Sequence, residues 1–315
     1  MPFQYYENQK AWRDISAFLP EGYRIDETKQ GTVPEEYFIS WRNFQIHIDR
    51  YPNRGAPAKV IMLHGVGGNG RLLAFAGVPL ASKGYELICP DLPGYGLSIV
   101  DKRKVLYTDW ADLVCHLVHT ELKRDNRPVF LFGLSAGGML AYQVATKCSS
   151  IKGIIATNLL DQRIQDVRDH SAGNIIISRL GIAGLNLLSG INGEALLPMK
   201  ALANLKAIVN NEALMKIMLK DPSSSGTKVP VNFVRSLIGY EPEIEPENFK
   251  IPVLLVHPEV DNWTPVKISK IFFDRIGSEK SLVMLQNAGH FPIEQPGLDQ
   301  LRDSVTAFLE NHCLH

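Results

Sequence analysis

Short apolar runs recur along the chain, and between them lie longer stretches in which apolar side chains return every three or four positions. The runs are KVIMLHG (59–65), ELICPDL (86–92), VFLFGLS (129–135), KGIIATNLL (152–160), VLLVHPEVD (253–261) and SLVMLQNAGH (281–290). Unbroken runs of Val, Ile and Leu suit strands buried on both faces, the pattern of a mostly parallel sheet. The segment EEYFISWRNFQIHIDRY (35–51) alternates instead, and reads as an antiparallel hairpin turning at Arg42-Asn43. Helical spacing covers 109–122, 137–147, 266–276 and 298–309. Strand–helix alternation of this kind predicts an α/β protein with a doubly wound open sheet. Ligands of such sheets bind beyond the carboxyl ends of the strands.

One stretch breaks the rhythm. Residues 162–248 hold no convincing strand. They offer helical candidates at Ile175 to Leu188, Glu194 to Val209 and Glu212 to Leu219, then a loop, DPSSSGTKVP. The segment lies between two expected central strands, so it is most simply a helical lid inserted over the carboxyl edge of the sheet. The expected organisation is a core built from 1–161 and 249–315, interrupted by this lid.

Charge and composition narrow the partners. Thirty-three Lys and Arg balance thirty-three Asp and Glu, so no global field draws the chain to nucleic acid or an anionic membrane. The one basic run is Lys102-Arg103-Lys104. Four widely spaced cysteines without a CxxC pair read as reduced thiols. The N-terminus is polar and lacks the features of a signal peptide. The most apolar windows fall far short of the ~20 residues of a membrane span. The expectation is a cytoplasmic protein without stable membrane insertion, acting on a small molecule. No pattern in the chain sets an oligomeric state.

The chemistry concentrates in Gly133-Leu134-Ser135-Ala136-Gly137, which follows a buried run and precedes a helical pattern. That is the setting of the G-x-S-x-G nucleophile elbow, a sharp strand-to-helix turn that exposes the serine Oγ. The positive helix N-terminus then faces any negative charge that develops there. A serine hydroxyl is a weak nucleophile and requires a base, which requires an orienting carboxylate. Asp261 closes one expected strand and His290 another, so the chain order is nucleophile, acid, base. His64-Gly65-Val66-Gly67-Gly68 follows the strand KVIML, where a loop contributes one oxyanion amide. The backbone N–H groups of Val66 and Ala136 are the candidate oxyanion hole.

The segments LHGVGG, CPDLPGYGLS, GLSAGG, PVLLVHPEVDNWTPV and AGHFPIEQP together resemble the α/β-hydrolase superfamily, from about residue 35 to the C-terminus. Within it the chain is most similar to capped esterases, lysophospholipases and monoacylglycerol-lipase-like enzymes. The resemblance implies the α/β-hydrolase fold, with Ser135 as nucleophile, Asp261 as acid, His290 as base, and Val66 and Ala136 as oxyanion amides. It also implies hydrolysis of hydrophobic acyl or aryl esters without metal or organic cofactor. The acid turn carries Pro258 where the family usually has glycine, so Glu259 stands beside Asp261 as a second candidate acid.

Other polar residues have plainer readings. Asp91 is expected to order its turn by accepting backbone N–H bonds, Glu294 to organise the histidine loop, and His64 to bond the backbone. Asp161 ends a strand and is a lesser candidate acid. His116 and His119 are neighbours on one helix but lack the further ligands a zinc site needs. The apolar stripe from Ile175 to Leu188 either packs on the core or lines an acyl pocket. Lactonase, thioesterase, aminopeptidase or amidase, and carbon–carbon hydrolase chemistry all use the same serine machinery. A receptor that retained the fold without catalysis is the alternative of another class.

Overall fold

The computed structural model describes residues 4–29, 31–173 and 175–313; for 175–177 and 180–183 it describes the backbone only. A short helix α1 (Lys10–Ser16) precedes the hairpin β1 (Glu35–Trp41) and β2 (Phe44–Tyr51). Next come β3 (Lys59–Leu63), α2 (Ala74–Ser82), β4 (Glu86–Pro90), α3 (Tyr107–Arg124), β5 (Val129–Gly133), α4 (Ala136–Lys147) and β6 (Ile151–Ala156). The intervening segment carries α5 (Gln165–Ser171), α6 (Ile175–Asn192), β7 (Leu196–Pro198), α7 (Met199–Leu202), α8 (Glu212–Lys220), β8 (Lys228–Pro230) and α9 (Val231–Ile238). The chain closes with β9 (Val253–Pro258), α10 (Val266–Phe273), β10 (Lys280–Leu285) and α11 (Gly297–Cys313).

Eight strands form one sheet in the order β1-β2-β4-β3-β5-β6-β9-β10. The β1–β2 and β2–β4 pairs are antiparallel, and the remaining pairs are parallel. Every residue of β3, β4, β5 and β9 is buried, as the uninterrupted apolar runs require of strands covered on both faces. The hairpin turns at Arg42, whose φ of 52° is the left-handed geometry of a tight two-residue connection. Strands β6 and β9 are neighbours, so everything between them leaves and re-enters the sheet at adjacent positions.

Within residues 162–248 the helices expected at 175–188 and 212–219 form as α6 and α8, but the third does not. The periodic stretch 194–209 does not form one helix. It divides into β7, α7 and a turn of 3₁₀ helix at Leu205–Ala207. Pro198 accounts for the break, because its ring fixes φ and removes the N–H a helix would use. Strand β7 pairs antiparallel with β8, which also ends on a proline. A further helix, α9, starts directly after Pro230. Helix α2 and the N-terminal α1 also lie outside the expected elements. In the stripe starting at Ile175, the side chains of Ile175, Ile176, Ile177, Leu180 and Ile182 lie outside the described residues. Among the described residues no helix is long and apolar enough to cross a membrane.

Candidate active site

Strand β5 ends at Gly133 and α4 begins at Ala136, leaving Ser135 on the turn with φ 56° and ψ −123°. A non-glycine residue in this region costs on the order of 1–3 kcal/mol, so its surroundings must hold it there. The Ser135 N–H donates to Thr157 Oγ1 at 2.9 Å, and the Ser135 carbonyl accepts the Gly138 N–H at 2.9 Å. The flanking glycines are a packing requirement. A Cβ on Gly133 would lie 2.1 Å from the Gly137 carbonyl oxygen, and one on Gly137 would lie 2.2 Å from the Leu63 carbonyl oxygen.

His290 sits on the loop after β10, buried to 3% exposure. Its Nε2 is 2.8 Å from Ser135 Oγ, and its Nδ1 is 2.8 Å from Asp261 Oδ2. Asp261 follows β9 and is surrounded by donors. Oδ1 accepts the backbone N–H groups of Trp263 and Thr264 at 2.9 and 2.8 Å. Oδ2 accepts from the Thr264 hydroxyl at 3.0 Å and from Asn158 Nδ2 at 3.1 Å, besides His290. Burial pushes the carboxyl up, but facing His290 and these donors overrides it and holds Asp261 well below the usual carboxylate range. The group is therefore an anion at neutral pH, aimed at the imidazole. The Trp263 ring packs over His290 with centroids 4.6 Å apart, fixing the ring plane.

Sequence reasoning missed the residues that tie these groups together. At the end of β6, Thr157 accepts the Ser135 N–H and donates to Asn158 Oδ1 at 2.8 Å. Asn158 is fully buried and reaches Asp261, so one chain of bonds joins the serine backbone to the carboxylate. Its Nδ2 also lies 3.2 Å from His257 Nε2. Burial keeps His257 neutral by lowering its pKa, with Nδ1 bonded to the Pro258 carbonyl. The legible signal was the polar pair Thr157-Asn158 interrupting an apolar run at its carboxyl end.

The loop after β3 closes on the elbow because residue 65 is glycine. A Cβ there would lie 2.8 Å from the Leu134 carbonyl oxygen, 2.9 Å from Ser135 Cβ and 3.1 Å from the Ala136 nitrogen. This approach brings Val66 beside Ala136, and both border a cavity together with Ser135. Among the described residues neither amide N–H finds an acceptor within the chain. His64 is fully buried, donates from Nδ1 to the Gly65 carbonyl at 2.8 Å and accepts the Leu92 N–H at 3.0 Å on Nε2. Burial brings its pKa down to about 4, so it stays a neutral brace of the loop.

The cavity over Ser135 has a largely apolar wall drawn from α4 and residues 162–248, including Met139, Met199, Leu202, Phe233 and Leu237. Leu185 of α6 also lines it, whereas Leu187 and Leu188 face outward. A smaller crevice reaches the other side of Ser135 between Val66, Leu72, Met218 and Phe291.

The remaining candidates lie apart from His290. Glu259 accepts the Asn287 N–H at 3.1 Å, so Asp261 alone of the two candidate acids meets the imidazole. Asp161 is paired with Arg163 at 2.8 Å. Glu294 accepts the Gly289 N–H at 3.0 Å, and Asp91 accepts the N–H groups of Gly70 and Leu97, both at 2.7 Å. His116 and His119 are exposed on α3. Elsewhere, Glu36, His47 and Asp49 bring ligand atoms within 4.8 Å of one another. The Arg71 guanidinium already bonds both carboxylates, at 2.8 and 2.9 Å. His47 lies 3.0 Å from Glu36 and 3.0 Å from Asp91. This is a buried ion network around a guanidinium, which already supplies the positive charge its carboxylates face.

The parallel sheet, the strained turn after β5 and the helix that follows define an α/β-hydrolase fold. A family model described as serine aminopeptidase, S33, matches residues 55–295, and the chain belongs to that family. It is 29% identical over 102 residues to a thermostable monoacylglycerol lipase from Bacillus sp. (strain H-257), a match spanning 32% of this chain and 40% of that relative's length. In solved structures, a soluble variant of the Saccharomyces cerevisiae monoglyceride lipase superposes with TM-score 0.74 at 19% identity. That match covers 93% of this chain and 99% of that one. The Paleococcus ferrophilus monoacylglycerol lipase gives 0.64 at 19% identity over 88% and 99%. These likenesses carry the fold.

Proposed function

We propose that this protein is a serine hydrolase that cleaves carboxylic esters of hydrophobic acyl or aryl groups. The observation supporting this most directly is the unbroken contact from Ser135 Oγ to His290 Nε2, and from Nδ1 to Asp261, each at 2.8 Å, at the floor of an apolar cavity. In this reading Ser135 Oγ attacks the acyl carbon as His290 takes its proton. The Val66 and Ala136 amides hold the oxyanion, where one donor is worth about 10²–10³ in turnover. The carbon–oxygen bond then breaks, and His290 returns the proton to the departing alkoxide. Water, deprotonated by His290, attacks the acyl-enzyme carbonyl and restores Ser135. Asp261 holds the imidazole in the tautomer with Nε2 free, and stabilises it when charged.

The name of the family raises aminopeptidase activity as a second reading. An amino terminus requires an uncompensated carboxylate in the pocket. Among the described residues the one carboxylate lining it, Asp161, is neutralised by Arg163, which favours esters. Residues 162–248 act as a lid whose apolar wall takes the acyl or aryl group, over a core of 1–161 and 249–315. The four cysteines are unpaired, in keeping with a reducing, cytoplasmic setting. The test is a panel of p-nitrophenyl esters, lactones and aminoacyl amides with wild type and Ser135→Ala. The reading requires aryl-ester turnover that the variant loses while its circular dichroism stays native. Near-parental activity in Ser135→Ala refutes it.

A further inference from the structure

Among the described residues the cavity over Ser135 is lined by two charged side chains, Asp161 and Arg168, in an otherwise neutral and mostly apolar wall. They are not in the same state. Asp161 accepts Arg163 through both carboxylate oxygens. Arg168, on α5, is held by neutral acceptors: Nη1 donates to the Gln162 and Arg163 carbonyls at 2.7 and 2.8 Å, and Nη2 to Gln165 Oε1 at 2.6 Å. Among the described residues it has no carboxylate within ion-pair distance, and its Nε is buried with no hydrogen-bond partner. Arg168 is half-buried at the cavity wall, a cation without a countercharge beside it. An anion with planar oxygen acceptors entering the cavity supplies that charge.

The placement fits a role toward the substrate. Ser171, one turn further along α5, accepts the Trp263 Nε1–H on its carbonyl at 3.1 Å, and Trp263 packs on His290. Arg168 thus shares the cavity wall with the end of α5 that holds Trp263. Its Nη bonds to the loop 162–165 fix the guanidinium beforehand, so little side-chain freedom remains to be lost on binding. Resting on the hydrolase reading above, we propose that the substrate of this site carries a carboxylate, and that Arg168 is the specificity residue that recognises it. The substrate class is then a half-ester: an apolar acyl chain ending in a free carboxylate, esterified at the end that meets Ser135.

The test compares twins that differ in one charge. Mono-p-nitrophenyl esters of straight-chain dicarboxylic acids, from pimelate to sebacate, are set against the same compounds with the far carboxyl methylated, reading p-nitrophenol release. Wild type should favour the acid over its methylated twin at one chain length by about tenfold or more in kcat/KM, the size expected of a hydrogen-bonded charge. That ratio should fall to one or below in Arg168→Gln and be partly kept in Arg168→Lys. Because the readout is a ratio within each protein, a merely structural role for Arg168, which slows both twins alike, leaves it unmoved. Turnover of the methylated twins with no gain for any acid, which wild type alone can show, overturns the proposal while leaving the hydrolase reading standing. An acid preference that survives in Arg168→Gln also overturns it. No turnover of either twin overturns the hydrolase reading and the proposal with it.

Discussion

Replacing Asp261 by asparagine changes one atom's hydrogen-bonding sense where several donors converge. Oδ1 of the carboxylate caps the Trp263 and Thr264 amides, and an asparagine carbonyl oxygen can keep both bonds, so the loop should hold its shape. Oδ2 accepts from His290 Nδ1, the Thr264 hydroxyl and Asn158 Nδ2. An NH₂ in that place confronts donors with donors. The imidazole then moves its proton to Nε2 to offer Nδ1 as acceptor, and Nε2, 2.8 Å from Ser135 Oγ, loses the lone pair that receives the serine proton. The wrong tautomer costs on the order of 10⁴ in kcat, or about 5 kcal/mol of barrier. Unpaired donors cost a further ~1–3 kcal/mol of folding stability. Steady-state kinetics on a p-nitrophenyl ester gives the first figure and urea denaturation the second. A fall in kcat of less than about tenfold, with native circular dichroism, would refute the tautomer argument.

Three further outcomes follow from the same structure. Gly65→Ala puts a Cβ against the elbow at 2.8–3.1 Å and must displace the Val66 amide. A kcat loss of about 10²–10³ together with a lower melting temperature is expected, and an unchanged kcat would remove Val66 from the oxyanion hole. His47 tests the ion network. Burial alone would lower its pKa, but the charges of Asp91 and Asp49 and its bonds to Asp91 and Glu36 raise it to about 10. A raised pKa stabilises the fold fully below the unfolded value near 6.5 and ceases to do so as pH climbs through about 10. Thermal melts should therefore fall from pH 7 to pH 10 and beyond by the equivalent of a few kcal/mol. His47→Gln should start lower and show a shallower decline; parallel curves for the two proteins would disprove the linkage. Ser135→Ala should melt no lower than wild type, because it keeps the strained backbone and loses only a hydroxyl; a large destabilisation would mean that Oγ serves the fold.

The sheet was legible because its strands announce themselves. Runs such as VFLF and VIML are apolar without interruption, and the structure buries every residue of both. The layout of the candidate site was legible because an elbow needs glycines at fixed offsets, and because Asp261 and His290 follow strand-like runs in chain order. Helix α2 was hidden for the reason that makes it stable. Residues Ala74–Leu80 are buried all round, so no polar face creates a period to detect, and Pro79 argues against a helix. Within 162–248, Pro198 breaks a stretch with helical spacing and the end of an expected loop joins it as a second short strand, an outcome that depends on the two strands pairing with each other. Arg168 could not be singled out at all. One arginine among many becomes informative only when its neighbours are seen to be carbonyls and an amide rather than acids.

The central claim is that Ser135 is a nucleophile activated by His290 and Asp261. Treating the folded protein with a fluorophosphonate and recording intact mass, followed by peptide mapping, tests it most directly. The account predicts one phosphonyl group per chain, carried by Ser135, with no labelling after unfolding or in the Ser135→Ala and His290→Gln variants. A native protein that stays unlabelled, or that carries the group on another residue, contradicts it.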